Sequence, residues 1–113
     1  MYLPQRRPSP MVLFESDLAS LYASLNDSHK LKILLERAAD ILKENMFAGE
    51  KIKKKQIPKY YITNYDVHIL YRLRVDECRI IYTLLSDSEG LKTIVLECFT
   101  DHKSYAKRFG YDT

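Results

Sequence analysis

With 113 residues, 46% of them hydrophobic and 29% charged, the chain has room for one domain with a modest core and is neither disordered nor fibrous in composition. Its net charge of +3 permits contact with nucleic acid without requiring it, so local clustering of charge is what matters. No apolar run approaches the roughly 18 residues needed to span a bilayer, and no apolar signal core follows the first arginines, so the expectation is a cytoplasmic protein with no membrane attachment.

Residues 1–10, MYLPQRRPSP, carry three prolines and two adjacent arginines and read as a flexible basic arm outside a single domain spanning 11–113. Met11 to Phe14 suits a short first strand. Ser16 is a plausible N-cap for a helix whose Leu18, Leu21, Tyr22 and Leu25 repeat at helical spacing. Asn26-Asp27-Ser28 breaks that helix and caps a second one from about His29 to Asn45, with Leu31, Leu34, Leu35, Ala38 and Leu42 as its inner stripe and Gly49 shortly past its end. The two form a helical hairpin laid on a sheet.

Lys51 to Lys59, KIKKKQIPK, holds five lysines and reads as a loop, with Pro58 barring a continuing helix. It is either a solvated loop or, with Tyr60, Tyr61 and Tyr65 close behind, a surface offering charges and aromatic faces to nucleic acid.

The segment from His68 to Leu85 alternates apolar and other residues in two arms that fold back about Asp76-Glu77. The register this predicts sets Val75 opposite Cys78, Leu73 opposite Ile80 and Tyr71 opposite Tyr82, all on one apolar face. It also sets Arg74 opposite Arg79, with Arg72 one step along the same row; like charges facing across a ladder are destabilising, and a bound polyanion would compensate. Ser86 to Gly90 reads as a polar turn before a third strand, Lys92 to Thr100, aligned so that Ile80 faces Leu96, Arg79 faces Glu97 and Cys78 faces Cys98, read as two buried reduced thiols with a disulfide as the lesser alternative. Asp101 then caps a last helix in which His102, Tyr105, Ala106 and Phe109 share a side and Gly110 ends the run. The predicted class is α+β: a two-helix hairpin on a small antiparallel sheet in the order β-α-α-β-β-β-α, with the helices largely on one face.

The two cysteines and three histidines show no metal-ligand spacing, and three glycines supply no phosphate-cradling loop, so neither metal nor cofactor is expected. What remains is a basic face: Arg72, Arg74 and Arg79 on the sheet, Lys51, Lys53, Lys54 and Lys55 ahead of it, and His102, Lys103 and Tyr105 after the last strand. Such an assembly can cleave RNA without a metal if fixed cations stabilise the phosphate oxygens while proton carriers serve the 2′-hydroxyl and the leaving 5′-oxygen. Arginine suits the oxygens, and His102 or Tyr105 suits the proton. Each member also has a plain alternative, as surface charge, helix cap or core ring.

The run L-Y-R-L-R-V-x-x-x-R-I-I-Y-T, Leu70 to Thr83, followed by an apolar strand and then D-H-K-S-Y, Asp101 to Tyr105, resembles the RelE/ParE superfamily of toxin-antitoxin systems from about Met11 to Phe109. The resemblance implies a RelE-like fold, and its RelE branch implies a ribosome-dependent endonuclease acting on messenger RNA, held by a cognate antitoxin. Carried over residue by residue, it points to Arg74 and Arg79 at the scissile phosphate and to His102 or Tyr105 for proton transfer. Lys53, Lys54 and Lys55 would then hold RNA backbone. The family's H-R-x-x-Y ending is H-K-S-Y here, with Tyr105 one residue early. The ParE branch, directed at DNA gyrase, shares the fold without the nuclease residues, and a fold relative without toxicity is a third reading.

Overall fold

A computed structural model describes residues 6–110. Two strands form the central hairpin, β3 (Tyr71–Val75) and β4 (Cys78–Asp87), and they pair in the expected register, with Val75 opposite Cys78, Leu73 opposite Ile80, Tyr71 opposite Tyr82 and Arg74 opposite Arg79. Asp76 makes the turn at φ 54°, a left-handed conformation that aspartate tolerates better than most residues. The first arm is shorter than its alternation predicts. Leu70 has left the ladder to accept the Ile52 amide and is fully buried, whereas Ile69 is exposed.

The sheet is mixed and five-stranded, where a small antiparallel one was expected. Its order is β1 (Val12–Phe14), β5 (Gly90–Phe99), β4, β3, β2 (Glu50–Lys51), and β1 runs parallel to β5. The turn between β4 and β5 is also tighter than predicted, since Asp87 pairs directly with Gly90. Their register differs too: Ile80 lies opposite Cys98, Arg79 opposite Phe99 and Ile81 opposite Glu97. Beyond a bulge at Leu96 it continues with Tyr82 opposite Val95. Alternation could not fix this register because β5 is apolar on both faces. Cys78 and Cys98 are therefore not opposite one another, and both are free thiols.

Helices cover both faces, which corrects the one-sided arrangement. On one face, α1 (Ser16–Ser24) and α2 (Lys30–Glu44) pack Leu34, Leu35, Ala38 and Leu42 against Leu73, Ile80, Tyr82 and Val95. Full burial of a leucine such as Leu35 stabilises by about 1.5–3 kcal/mol. On the other face, α3 (Lys59–Tyr65) and α4 (His102–Phe109) pack Tyr61, Tyr105 and Phe109 against Leu70, Ile81, Leu96 and Phe99. The bulge serves this second layer by turning Leu96 and Glu97 to the same side, Leu96 into the apolar cluster and Glu97 onto Arg108 of α4.

The expected basic loop is thus β2, one 3₁₀ turn at Lys54–Gln56 and the start of α3. Pro58 begins that helix as its N-cap, where a fixed φ and a missing N–H cost nothing. The other caps also depart slightly: the Glu15 carboxylate, not Ser16, caps α1, and the His29 ring nitrogen, not a residue of Asn26-Asp27-Ser28, caps α2 by accepting from Leu31. α4 follows its prediction, with Asp101 as N-cap and Gly110 closing it at φ 73°.

Part of the expected loose arm, residues 1–5, lies outside the described residues. From Arg7 the chain is tied to the end of α2. Arg7 donates its amide to Asn45 and accepts from the Met46 amide, and the Ser9 amide donates to the Lys43 carbonyl. The buried Ser9 hydroxyl meets Thr93 at 2.8 Å. Among the described residues no helix is long and apolar enough to cross a membrane.

Candidate functional site

Strand periodicity puts Arg72 and Arg74 of β3 on the face away from α2, and hairpin pairing adds Arg79 of β4 directly across from Arg74. The other contributors come from the ends of the chain's path around this face. β2 sets Glu50 opposite Arg72. Gly49, just before it, donates its amide to the Tyr82 hydroxyl at 3.0 Å and passes so close to the sheet that a Cβ there would stand 2.8 Å from the Arg72 carbonyl oxygen. After β5, Asp101 accepts from the Ser104 amide at 2.7 Å, an interaction that holds its carboxyl below the usual range and starts α4 at a fixed angle. That angle presents His102 and Tyr105 to the arginines.

The result is an open cleft of about 510 Å³ lined by Glu50, Arg72, Arg74, Arg79, His102 and Tyr105 among others. All four candidate catalytic residues therefore meet in one place. A neighbouring hollow of about 330 Å³ shares Arg79 and His102 and continues to Asp101, so these two side chains stand at a junction.

The three guanidinium groups are held differently. Arg72 donates to the Tyr105 hydroxyl and pairs with the Glu50 carboxylate. Arg74, more exposed, donates to the Asp76 carbonyl at 3.1 Å and lies 3.7 Å from the Glu77 carboxylate. Arg79 has no ion pair or side-chain hydrogen bond among the described residues, and its guanidinium carbon sits 5.8 Å from the centre of the Tyr105 ring. Glu97, expected opposite Arg79, is turned to Arg108 at 3.0 Å instead.

Other predicted site residues fall elsewhere. Lys51 is on the edge strand β2, Lys53, Lys54 and Lys55 are exposed around the 3₁₀ turn, and Lys103 is exposed on the first turn of α4; none lines the cleft. Of the tyrosines read as stacking surfaces, Tyr60 and Tyr65 are half-buried against the second apolar cluster. Tyr61 is fully buried, with rings of Tyr60 and Phe109 at 5.3 and 5.7 Å, and Arg108 covers Tyr60 at 3.5 Å. Burial pushes the Tyr61 phenol well above its ordinary range, with nearby Glu97 adding to the effect. Glu50 is the cleft residue that sequence reasoning missed, because a two-residue strand leaves no periodicity to detect.

No family model, curated protein or solved structure matches this chain. Among the described residues no group of three or more His, Cys, Asp or Glu side chains is arranged to hold a metal ion. The thiols are unsuited to nucleophilic work: burial pushes Cys98 up to about 12, with Cys78 beside it contributing, and burial also raises Cys78. A further cleft of about 360 Å³ near Val67, Ile69 and Leu85 is mainly apolar and contains none of the candidate residues.

Proposed function

We propose that the chain is a RelE-like toxin that cleaves ribosome-bound messenger RNA, restrained in the cell by a cognate antitoxin. The observation that carries this reading is the convergence of Arg74, Arg79, His102 and Tyr105 on one open cleft, with the Arg79 side chain lacking a carboxylate partner among the described residues. A phosphate diester needs such a group: a planar, permanently charged fork that receives two oxygens at once.

In the step this assigns to the cleft, the 2′-oxygen of one nucleotide attacks the adjacent phosphorus and passes its proton to a base. Arg74 and Arg79 receive the charge that gathers on the non-bridging oxygens. The bond from phosphorus to the 5′-oxygen breaks, and a proton from the cleft caps that oxygen. A 2′,3′-cyclic phosphate and a 5′-hydroxyl result, and solvent restores both proton carriers.

Expression of the protein alone tests the reading. Translation should stop and primer extension should map cuts within ribosome-bound messages, while the doubly substituted Arg74→Ala, Arg79→Ala protein should leave messages intact. Normal translation with uncut messages overturns it. The carboxylates of Glu50 and Glu77, which draw charge from Arg72 and Arg74, favour an alternative: a ParE-like gyrase-directed toxin or a binding protein of the same fold without nuclease activity. Under that reading, toxicity or binding survives the double substitution.

A further inference from the structure

Arg72 differs from its neighbours in being gripped at both ends of its guanidinium fork. One terminal nitrogen donates to the Tyr105 hydroxyl oxygen, and the other is ion-paired with Glu50. Three separate elements place these groups: β2 sets Glu50 opposite Arg72, β3 carries Arg72, and α4 carries Tyr105. Nor can the phenol swing aside. Its ring is 3% exposed and wedged between Phe99 and Phe109, with centroids 5.9 and 4.8 Å away.

We propose that Glu50 and Arg72 are positioning residues, a relay that aims the Tyr105 hydroxyl and sets its acidity, making Tyr105 the proton donor of the cleft. The catalytic consequence rests on the RNA-cleavage reading above; the relay itself does not.

The hydroxyl oxygen accepts from Arg72, so its own O–H bond is turned away from the guanidinium. A fixed cation at hydrogen-bond distance stabilises negative charge on the oxygen it contacts. Arg79, from β4, lies over the same ring and acts in the same direction. Glu50 does two things at once, locking the orientation of Arg72 and cancelling part of its field. His102, a further titratable neighbour, is exposed, has its ring 6.4 Å from that of Tyr105, and makes no side-chain hydrogen bond among the described residues. It has nothing to aim it as a donor, and access to solvent suits it to receive the 2′ proton. Arg72, one of the basic face, thereby supports Tyr105 rather than contacting RNA. Because arginine keeps its charge throughout the working range, the relay acts with one sign at every pH where the fold persists.

The relay makes opposite predictions for its two members, which a merely structural role does not. Protein labelled with carbon-13 at the tyrosine ζ position is titrated by NMR, with the Tyr105 signal assigned by its loss in Tyr105→Phe. Arg72→Met should raise the Tyr105 pKa by about one unit or more, whereas Glu50→Gln, which leaves Arg72 uncompensated, should lower it. Arg72→Lys, keeping the charge, should stay nearer the wild type, and it serves with Glu50→Gln if Arg72→Met does not fold. No movement, or movement of both charge-removing variants in one direction, overturns the relay. Cleavage of ribosome-bound message is measured alongside, with Tyr105→Phe expected to lose at least about 100-fold. Shifted pKa values without cleavage by the wild type would leave the relay standing and sink the nuclease reading; cleavage with unmoved pKa values would do the reverse.

Discussion

Arg74 faces Arg79 squarely across the β3–β4 ladder, and the acid expected opposite Arg79, Glu97, is occupied with Arg108 on α4. Like charges so placed cost a few tenths to about 1 kcal/mol. A ligand carrying two or more negative oxygens would recover that cost. Inorganic phosphate should therefore raise the thermal midpoint more than chloride at equal ionic strength, by the equivalent of about 1.4 kcal/mol at ten times its Kd. Arg79→Gln should erase the difference. Equal effects of the two salts on the wild type would show that the pair is not an anion site.

The approach of Gly49 to the sheet can be probed from either side. Gly49→Ala would push a methyl group to within 2.8 Å of the Arg72 carbonyl oxygen and of the Tyr82 ring, and should destabilise by about 1–3 kcal/mol in urea unfolding. Tyr82→Phe removes the hydroxyl that donates to the Met46 carbonyl at 2.8 Å and accepts from Gly49, and should cost about 1–3 kcal/mol. Applied together, the two losses should be less than additive, since they disturb one contact.

Alkaline pH should weaken the fold through its buried acids. The Cys98 thiol is held up to about 12 from an ordinary 9.0, and burial also raises Tyr61 and Tyr82. Between about pH 9 and 12 the unfolded chain gives up protons that the folded one keeps, so stability is complete below this window and falls as pH rises through it. Urea midpoints from pH 8 to 11 should show the decline, with a shallower slope for Cys98→Ala. In the same range Cys98 should resist alkylation until the protein unfolds.

Asp101→Ala removes the cap of α4 and should cost about 0.5–2 kcal/mol. Because α4 also delivers His102 and Tyr105 to the cleft, any cleavage activity should fall by more than the fraction unfolded accounts for. Activity tracking the folded fraction alone would mean that the cap does not aim the site.

Much of this architecture was legible where one signal had no competitor. The hairpin register followed from arms apolar on a single row, and α4 followed from Asp101 at one end and Gly110 at the other. Pro58 was misleading because the same ring that ends a helix also suits its start, so α3 and the second covered face were missed. β5 was misaligned because Ile94 and Leu96 on one side compete with Val95 and Cys98 on the other for the same apolar role. The cleft's arginines could be named because strand parity alone put them together. Glu50 could not, since its place depends on the close passage of Gly49 rather than on any repeat.

The doubled step at Leu96 and Glu97 makes β5 unequal in its tolerance of changes in length. Trimming one residue there would restore an unbroken ladder and spare the sheet, yet it would remove either the side chain that cushions α4 or the one that tethers Arg108. Adding one would instead leave two surplus residues, so that the faces alternate as before but Phe99 and all that follows slip two positions along β4, roughly 7 Å, carrying Tyr105 away from the arginines. A single inserted codon at this point would thus disconnect the last helix from the sheet more thoroughly than most substitutions within the helix itself.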